Sequence, residues 1–482
     1  MGHMPTVALH TLGCKLNSAE TAAIGRRFLE RGYTLVPVGE AADVCVINTC
    51  TVTARADREC RQIIRRALRA PKDPKLVVTG CYAQLRPEEV ASIPGVDLVL
   101  GTREKFDVLS YLPELEDNRG PLVHVGAAGI SDDFGPASTS AADDRTRAFL
   151  KVQDGCDYTC SFCTIPRARG ASRSQSIEAS VRQAEELVAR GYREIVLTGV
   201  NVGDYGRASG TNLLSLLGAL ESVRGLQRLR ISSIEPNLLT DDIIDMAASS
   251  PVLCPHFHIP LQSGDDGVLR RMRRRYSAAD YAARVEAIRR RLPDAGIGVD
   301  VIVGFPGESD LQFRRTAEFL TELPVSYLHV FTYSERPDTP AAGYADQISP
   351  RERQRRNAVL RAIGEKKRLA FHGGMVGRTV PILLEGEVRD GRRVGLAPNY
   401  ARVAVAGKRS AGISGASSNG GDAAAASEEM RENTIVHAVI TSAAAACCEA
   451  NVAEERVQRD RAVGALGDEV FVSPGAAGGA TL

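Results

Sequence analysis

Three closely spaced cysteines, Cys156, Cys160 and Cys163, constrain this chain more than any other feature of its sequence. Their C-x3-C-x2-C spacing lets three thiolates converge on one face of a tight loop. Three thiolates leave one iron of a four-iron cluster open to a ligand that the protein does not supply. A structural zinc site is the alternative, and it would need a fourth ligand such as His256 or His258. Structural zinc usually uses two cysteine knuckles, and only one is present, so the spacing favours the cluster.

A second set of cysteines follows predicted strands in the first hundred residues. Apolar runs rich in Val, Ile and Leu predict buried strands, and each run is followed by a cysteine: Val7–Thr11 by Cys14, Asp43–Asn48 by Cys50 and Leu76–Thr79 by Cys81. In open α/β sheets, ligands bind outside the carboxyl ends of the strands. We therefore expect these three thiols to meet at one sheet edge and form a second three-cysteine site.

The chain has eleven cysteines, an odd number, which argues against a disulfide framework in a protein without a secretion signal. We expect a cytoplasmic protein that uses cysteine for metal or redox chemistry. Cys45, Cys60 and Cys254 are interpreted as small buried apolar residues. Cys447 and Cys448 lie in an alanine-rich stretch with no partner motif, and no role is assigned to them.

The spacing of the predicted elements divides the chain into domains. Residues 4–115 alternate buried strands with the helical patterns Ser18–Arg31 and Arg55–Arg69, which indicates an open α/β sheet with parallel strands. Residues 116–144 are polar and rich in Gly, Ala, Ser and Asp, and they are interpreted as a linker.

Residues 145–372 repeat a strand and a helix about six times. The predicted strands are Ala148–Gln153, Glu194–Thr198, Arg228–Ser232, His256–Pro260, Ile297–Val303 and Tyr327–Tyr333. Such repeats predict a parallel barrel, whole or partial, with its active site at the carboxyl ends of the strands. The Cys156 loop follows the first of these strands, where this rule places a site.

Residues 373–442 carry short β-like runs, Thr379–Leu384, Arg402–Val405 and Thr434–Thr441, which predict a small all-β barrel. A Gly/Ser-rich insertion near residues 407–430 interrupts this module. Residues 443–482 are expected to be mostly disordered.

The net charge of +1 conceals bunched arginines, which are the electrostatic footprint of a phosphate-backbone binder, although solvated helix faces give the same pattern. The clusters are Arg61, Arg65, Arg66 and Arg69; Arg270, Arg271, Arg273, Arg274 and Arg275; and Arg289, Arg290 and Arg291. No apolar run approaches the ~18 residues of a membrane helix, so no membrane association is expected.

The C-x3-C-x2-C motif, with the aromatic Phe162 before its last cysteine, resembles the signature of radical S-adenosylmethionine enzymes. The resemblance implies that the methionine part of S-adenosylmethionine chelates the open iron. It also points to cofactor contacts by Phe162, beside the adenine, and by Gly199, Asn201 and Gly304. A core aromatic remains the alternative for Phe162. Polar groups at other strand ends give three weaker candidates: Ser232, Glu235 and Gln262.

The whole arrangement, over roughly residues 4–442, resembles the methylthiotransferases. The resemblance implies a second four-iron cluster on Cys14, Cys50 and Cys81 and a C-terminal TRAM domain that binds RNA. Gly-Cys14-Lys-Leu-Asn and Asn-Thr-Cys50-Thr-Val-Thr are most similar to the branch that modifies threonylcarbamoyladenosine beside the tRNA anticodon. The isopentenyladenosine branch usually has Gln, and the ribosomal-protein branch Pro, after the first cysteine. Gly395-Leu-Ala-Pro-Asn-Tyr400 departs from the family's usual Gly-Tyr-Thr-x-Asn-Tyr.

The family implies conversion of threonylcarbamoyladenosine to its 2-methylthio form. An unactivated adenine C2–H bond is beyond side-chain acid–base chemistry, so no catalytic side chain is predicted. Two four-iron clusters and S-adenosylmethionine are the expected cofactors. The expected partners are tRNA, an electron donor such as flavodoxin or ferredoxin and a sulfur source, with the protein acting as a monomer. Alternatives are methylthiolation of a ribosomal-protein aspartate, or a non-catalytic RNA-binding protein that holds zinc.

Overall fold

The computed structural model describes residues 4–69, 71–117, 120–128, 134–139, 146–407 and 430–453. No helix among these residues has the length and apolar character needed to cross a bilayer. The described residues form an N-terminal α/β domain, a central α/β domain and a C-terminal β barrel, as the sequence predicts.

The N-terminal domain is a six-stranded sheet in the order β2-β1-β3-β4-β5-β6, with every pair of neighbours parallel. Its strands are β1 Thr6–Thr11, β2 Thr34–Val36, β3 Val44–Thr49, β4 Lys75–Gly80, β5 Leu98–Leu100 and β6 Leu122–His124. Every residue of β3 is buried, which explains its continuous apolar sequence, because helices cover both faces of a parallel sheet. The helices are α1 Lys15–Glu30, α2 Ala54–Ala67, α3 Cys81–Leu85, α4 Pro87–Ala91, α5 Val108–Tyr111 and α6 Glu114–Asp117.

The stretch interpreted as a linker, residues 116–144, contains a strand that the sequence analysis missed. Strand β6 pairs in parallel with β5 and completes the N-terminal sheet. Three residues are too few to show a periodic pattern, so only the pairing partner reveals this strand. Further along, Ser138 forms an antiparallel bridge to Leu150 of the central domain. The rest of the predicted linker includes residues 118–119, 129–133 and 140–145, which lie outside the described residues.

The central domain is a partial barrel of six parallel strands in two three-stranded sheets, β11-β10-β7 and β12-β13-β14. The strands are β7 Ala148–Lys151, β10 Glu194–Thr198, β11 Arg228–Ile231, β12 His256–Gln262, β13 Gly296–Val303 and β14 Tyr327–Thr332. Isolated parallel bridges, Leu229 to Leu253 and Ser233 to His258, connect the two sheets. The two short strands β8 Gln153–Asp154 and β9 Arg173–Ser174 pair antiparallel and flank the Cys156 loop.

Helices pack around the outside of these strands and enclose a core of Val, Ile and Leu side chains. They are α7 Ile165–Arg169, α8 Ile177–Ala189, α9 Leu213–Glu221, α10 Asp241–Ser249, α11 Asp266–Arg271, α12 Ala278–Arg291, α13 Asp310–Glu322 and α14 Pro350–Gly373. Short 3₁₀ helices lie at Glu104–Asp107, Val202–Asp204, Arg207–Ser209 and Pro340–Gly343. Capping boxes at Ser277 and Ser309 fix where α12 and α13 begin.

The C-terminal module is a closed five-stranded barrel in the order β15-β16-β17-β19-β18. Its strands are β15 Thr379–Arg389, β16 Arg392–Leu396, β17 Arg402–Ala406, β18 Ile435–Ala443 and β19 Cys448–Val452. The expectation that the module ends at residue 442 is therefore wrong, because β19 closes the barrel and buries Cys448 in its core. Residues 408–429 and 454–482, which hold most of the predicted insertion and tail, lie outside the described residues.

Candidate active site

The loop that carries Cys156, Cys160 and Cys163 follows the first two strands of the central domain and is held in a defined path. Gly155 has a φ of +73°, and a Cβ built there would lie 1.9 Å from the carbonyl oxygen of Ala171, so only glycine fits. The next residue, Cys156, donates its backbone N–H to the Gly170 carbonyl at 3.0 Å. These contacts place the loop at the carboxyl end of the barrel, as predicted.

Hydrogen-bond donors point at all three thiols of this loop. The backbone N–H groups of Tyr158 and Ile165 lie 3.4 Å from Cys156 Sγ and 3.5 Å from Cys163 Sγ. Arg274 Nη1 lies 3.1 Å from Cys160 Sγ. Burial raises the pKa of Cys156 to about 11 and that of Cys163 to about 12. Donors directed at buried sulfurs suit thiolates that bind an iron–sulfur cluster, because a metal displaces the thiol protons and leaves negative charge on sulfur.

Arg274 is a site residue that the sequence analysis assigned wrongly. Its side chain is 3% exposed and pairs with Glu235, while its Nε donates to the Tyr276 hydroxyl at 3.0 Å. Burial opposes its charge, but Tyr276, Glu235 and Cys160 outweigh burial and raise the pKa of Arg274 well above its usual value. It therefore stabilises negative charge at Cys160 and does not contribute to an RNA-binding surface. No motif distinguishes Arg274 from the neighbouring arginines of its cluster.

Unpartnered buried polar atoms line the ends of strands β10 and β11. Both side-chain amide atoms of Asn201 and the hydroxyls of Ser232 and Thr198 have no hydrogen-bond partner among the described residues. Leaving such a group unpaired costs about 1–3 kcal/mol, which a polar ligand would recover. These atoms fit the prediction that the strand ends contact S-adenosylmethionine, and Thr198 is a candidate that the sequence analysis did not include.

Gly199, also predicted to approach the cofactor, makes close contact with the protein itself. A Cβ at Gly199 would lie 2.8 Å from Gln153 Oε1. That oxygen accepts hydrogen bonds from the backbone N–H groups of Val200 and Asn201, both at 2.9 Å. Gln153, which the sequence analysis did not single out, therefore fixes the backbone that presents Asn201. No sequence motif around Gln153 indicates this role.

The remaining predicted cofactor residues occupy irregular backbone. Gln262 has a φ of +68° and follows a shift in register between β12 and β13. Such a bulge changes the direction of a side chain at the end of a strand. Gly304 has a φ of +73°, and a Cβ there would lie 2.3 Å from Arg353 Cγ. Phe162 packs edge-on against Phe305, with ring centroids 6.3 Å apart. It therefore makes the core contact that was the alternative to a cofactor contact. Cofactor contacts by these three residues stay predictions.

The second cysteine set lies at the carboxyl ends of three adjacent strands. Cys14 precedes α1, Cys50 directly follows β3, and Cys81 begins α3. A Cβ at Gly13 would lie 2.6 Å from Cys50 Cβ, so the Cys14 loop and Cys50 are in direct contact. Gly80 has a φ of +95°, which turns the chain sharply before Cys81. The structure therefore brings these three cysteines to one edge of the sheet.

The thiols of this second set influence one another electrostatically. Burial raises the pKa of Cys50 to about 12, and desolvation of its sulfur raises the pKa of Cys14 although that residue is exposed, with neighbouring cysteines adding to both shifts. The backbone N–H groups of Asn17 and Val52 oppose these shifts by hydrogen bonding to Cys14 and Cys50. Cys60 donates to the Cys50 carbonyl oxygen at 3.3 Å. Cys60 is buried, as are Cys45 and Cys254, which confirms that interpretation of the three.

The geometry gives the zinc alternative no support. In the parts of the chain that the structure describes, no three His, Cys, Asp or Glu side chains converge on a single-ion site. Zinc needs its ligand atoms about 2.0–2.3 Å from one point, whereas a four-iron cluster distributes its thiolates over several irons. Both ring nitrogens of His258 have hydrogen-bond partners, Asp300 Oδ1 at 2.7 Å and Ser233 Oγ at 3.0 Å, whereas His256 uses only Nε2, which lies 2.7 Å from the Tyr327 hydroxyl.

Helix α7 connects the two cysteine sites. It begins two residues after Cys163 and packs against α3, the helix that begins with Cys81. The Ala168 carbonyl in α7 accepts a hydrogen bond from Thr102 Oγ1 of the N-terminal domain at 3.0 Å. The next residue, Arg169, is buried and its charge acts on the Cys81 thiol. The two sites therefore share one wall.

Both domains that carry the cysteine sets match families of known proteins. The family described as "Uncharacterized protein family UPF0004" matches residues 6–101, and the "Radical SAM superfamily" matches residues 150–320. The threonylcarbamoyladenosine tRNA methylthiotransferase MtaB of Bacillus subtilis is 42% identical over 410 residues, which cover 84% of this chain and 91% of that protein. The protein of the same name from Aquifex aeolicus is 39% identical over a stretch that covers 80% of this chain and 93% of that protein. This chain belongs to the radical S-adenosylmethionine methylthiotransferase family.

A second kind of methylthiotransferase is also similar. The tRNA-2-methylthio-N(6)-dimethylallyladenosine synthase of Roseobacter denitrificans is 35% identical and covers 80% of this chain and 89% of that protein. Among solved structures, the radical S-adenosylmethionine methyltransferase TsrM of Kitasatospora setae matches with a TM-score of 0.52 at 15% identity. That match covers 70% of this chain and 77% of TsrM, and it concerns the fold alone.

Some of the bunched arginines of this methylthiotransferase have partners within the protein. Arg61 donates to Tyr82 and Glu89, Arg275 lies over the Tyr158 ring, and Arg289 donates to three backbone carbonyls. Individual members of the clusters are therefore engaged within the protein, and phosphate binding by the others stays a prediction. The exposed members are Arg65, Arg66, Arg69, Arg270, Arg273, Arg275 and Arg290.

Proposed function

We propose that this methylthiotransferase acts on tRNA and converts N6-threonylcarbamoyladenosine beside the anticodon to its 2-methylthio derivative. One observation carries the proposal: a three-cysteine edge of the N-terminal sheet shares a wall with the Cys156 loop of the barrel. One cluster site would suffice for radical generation alone, whereas two neighbouring sites suit a reaction that also inserts sulfur. The relatives that are 36–42% identical and carry the threonylcarbamoyladenosine name support this choice of base.

The chain's own residues have distinct tasks in this proposal. Cys156, Cys160 and Cys163 would hold one four-iron cluster, and Cys14, Cys50 and Cys81 a second. When bound, these groups and S-adenosylmethionine supply a radical able to take the unactivated C2 hydrogen and the sulfur that replaces it.

The side chains around these sites bind and orient. Arg274 holds its positive charge against Cys160, at 3.1 Å, and lowers the energy of negative charge on that sulfur. Asn201 and Ser232 offer buried polar atoms to S-adenosylmethionine at the strand ends. Helix α7, through its buried residues Ala168 and Arg169, fixes the Cys156 loop relative to the N-terminal cysteine site.

The same proposal includes partners and location. Reductive cleavage of S-adenosylmethionine requires a one-electron donor such as flavodoxin or ferredoxin, and insertion of sulfur requires a sulfur source. We propose that the protein acts as a monomer in the cytoplasm, where its tRNA substrate is found. The C-terminal barrel, which corresponds to the TRAM domain, is proposed to contact RNA despite its altered Gly395–Tyr400 segment.

The test is mass spectrometry of tRNA nucleosides from cells that lack this protein, with the wild-type gene restored as a control. We expect 2-methylthio-threonylcarbamoyladenosine to disappear, its unmethylthiolated precursor to accumulate, and restoration to reverse both changes. Persistence of the 2-methylthio base, in cells with no second enzyme that makes it, would contradict the proposal. Loss of a methylthio group from a ribosomal-protein aspartate instead would favour that alternative.

A further inference from the structure

The interior of the partial barrel carries a polar group of side chains from neighbouring strands. His258 Nε2 lies 2.7 Å from Asp300 Oδ1, and its Nδ1 lies 3.0 Å from Ser233 Oγ. The ring of His329 lies 5.3 Å from that of His258 and is exposed. The barrel interior is therefore open at this level and is lined by groups that can hydrogen-bond to a ligand.

Lys15 extends into the same space from the N-terminal domain. It directly follows Cys14, and its Nζ lies 5.8 Å from the centre of the Tyr400 ring, which stacks on His256 at 4.5 Å. Its charge also acts on His329. Lys15 thus joins the second cysteine site to the interior of the barrel.

Lys15 differs from two nearby cations, Arg230 and Arg147, because it has no counterion. Arg230 is paired with Glu194 at 2.7 Å, and Arg147 with Glu385 at 3.2 Å. Within the described part of the chain, the Lys15 ammonium makes neither a hydrogen bond nor an ion pair. Lys15 is half-buried, so its charge is partly removed from water without a partner, and an anion from a ligand would compensate it.

We propose that the Lys15 ammonium binds the threonyl carboxylate of the substrate's threonylcarbamoyl group and thereby selects the base to be modified. This inference rests on the proposed function and names the residue that recognises its substrate. An unmodified adenine has no negative charge where the threonyl carboxylate would lie. An adenine with an alkyl substituent has none there either. Because Lys15 adjoins Cys14, a carboxylate held there keeps the adenine ring, joined to it by a short covalent chain, beside the second cysteine site.

The test compares two anticodon stem–loop RNAs of one sequence, with and without the threonylcarbamoyl group, in binding to protein that holds both clusters. A charge-assisted contact raises binding affinity about tenfold. The wild type should therefore bind the modified RNA about tenfold more tightly than the unmodified RNA. Lys15→Gln should lose this preference while binding the unmodified RNA as before, and Lys15→Arg should keep part of it. Lys366→Gln, at an exposed position of α14, is the matched control and should behave as the wild type.

Three results would overturn the inference. The first is a Lys15→Gln variant that keeps the preference. The second is a Lys15→Gln variant that binds both RNAs more weakly by the same factor. Lys15 would then contact the RNA backbone and not the threonyl carboxylate. The third is a wild type without preference. Failure of the proposed function gives a separate result, namely absence of the 2-methylthio product when the wild type is given the modified RNA.

A substrate change tests the inference independently of how the variants fold. Wild-type protein is given the modified RNA with its threonyl carboxylate converted to a methyl ester, which removes the charge and keeps the rest of the group. We expect the ester to bind about tenfold more weakly than the free carboxylate. Equal binding of acid and ester would overturn the inference even if Lys15→Gln fails to assemble its clusters.

Discussion

Arg169 of the central domain donates hydrogen bonds to both carboxylate oxygens of Glu20 in the N-terminal domain, at 2.9 and 3.0 Å. Both side chains are buried. Lys105 and Lys151 also pair with Glu20, at 2.5 and 3.2 Å, so ions from two domains share one carboxylate. A second buried carboxylate, Asp154, pairs with Arg169 at 3.0 Å and with Lys151 at 2.8 Å. Removing one member of such a group unbalances the buried charges, which ties the two domains to a single arrangement.

Replacing Glu20 tests the strength of this connection. We expect Glu20→Gln to lower the free energy of unfolding by about 3–5 kcal/mol, because buried Lys105 loses its carboxylate partner while Arg169 and Lys151 are left with Asp154 alone. Chemical denaturation of the protein measures the change. Asp107→Asn is the control: Asp107 forms an exposed pair with Arg27 at 2.8 Å, and its loss should cost less than about 1 kcal/mol. Equal effects of the two variants would show that the buried group does not hold the domains.

The pH dependence of stability gives a second test of Glu20. Burial alone would raise its pKa, but Arg169, Lys105 and Lys151 outweigh burial and hold the pKa of Glu20 well below its ordinary 4.5. A lowered folded-state pKa stabilises the protein above the unfolded value, and the stabilisation is lost as the pH falls through the folded value. The stability difference between wild type and Glu20→Gln should therefore be constant above pH 5 and shrink below 4.5. A difference that grows on acidification would contradict this sign.

Iron analysis tests whether two separate clusters bind. Replacing Cys156, Cys160 and Cys163 together with alanine should reduce the iron of anaerobically reconstituted protein from about eight to about four atoms per chain. The reason is that the remaining set, Cys14, Cys50 and Cys81, lies on a different domain. Sulfide should fall in parallel. Loss of all the iron, or of none, would refute two independent sites.

The division of labour between the cysteine sets is tested by the converse variant. Replacing Cys14, Cys50 and Cys81 with alanine should leave reductive cleavage of S-adenosylmethionine to 5′-deoxyadenosine intact and abolish the methylthio product. Liquid chromatography with mass spectrometry quantifies both compounds in one reaction. If cleavage also stops while about four irons remain bound, the N-terminal set takes part in radical generation and the assignment is wrong.

Arg274 provides a test at the barrel cluster. Its Nη1 contact with Cys160 Sγ, at 3.1 Å, favours the more negative, reduced cluster. Arg274→Gln removes that charge and leaves Glu235 unpaired, and both changes should shift the cluster's reduction potential to a more negative value. A redox titration followed by electron paramagnetic resonance measures the shift. Arg270→Gln, on the exposed side of α11, should leave the potential unchanged, and an equal shift there would argue for a general charge effect.

The parts of this fold that follow local patterns could be predicted from the sequence. The strand Glu194–Thr198 has the bounds expected for it, because a buried parallel strand is a continuous apolar run between turns. The convergence of Cys14, Cys50 and Cys81 on one sheet edge follows from the rule for open α/β sheets, although their role as cluster ligands stays a prediction. Strand β12 continues two residues beyond the predicted Pro260, through a bulge that periodicity does not reveal.

Features that depend on distant partners could not be predicted. Arg169 and Glu20 are 149 residues apart, and neither belongs to a motif that indicates the other. The assignment of Arg274 to an RNA-binding cluster was wrong because burial, and not the run of arginines, decides its role. The short strand β6 forms only because β5 provides an edge for it. A single sequence records which residues are present but not which surfaces they meet.

Closure of the C-terminal barrel determines when this part of the protein can finish folding during synthesis. Strand β19 pairs with β17 on one side and β18 on the other, and it is the last strand described in the chain. Before the ribosome has made β19, the other strands can form only an open sheet, whose outer members β17 and β18 expose unpaired backbone groups. A nascent chain at that stage can accept a strand from another chain at either edge. The yield of folded protein therefore depends on β19 reaching the gap first.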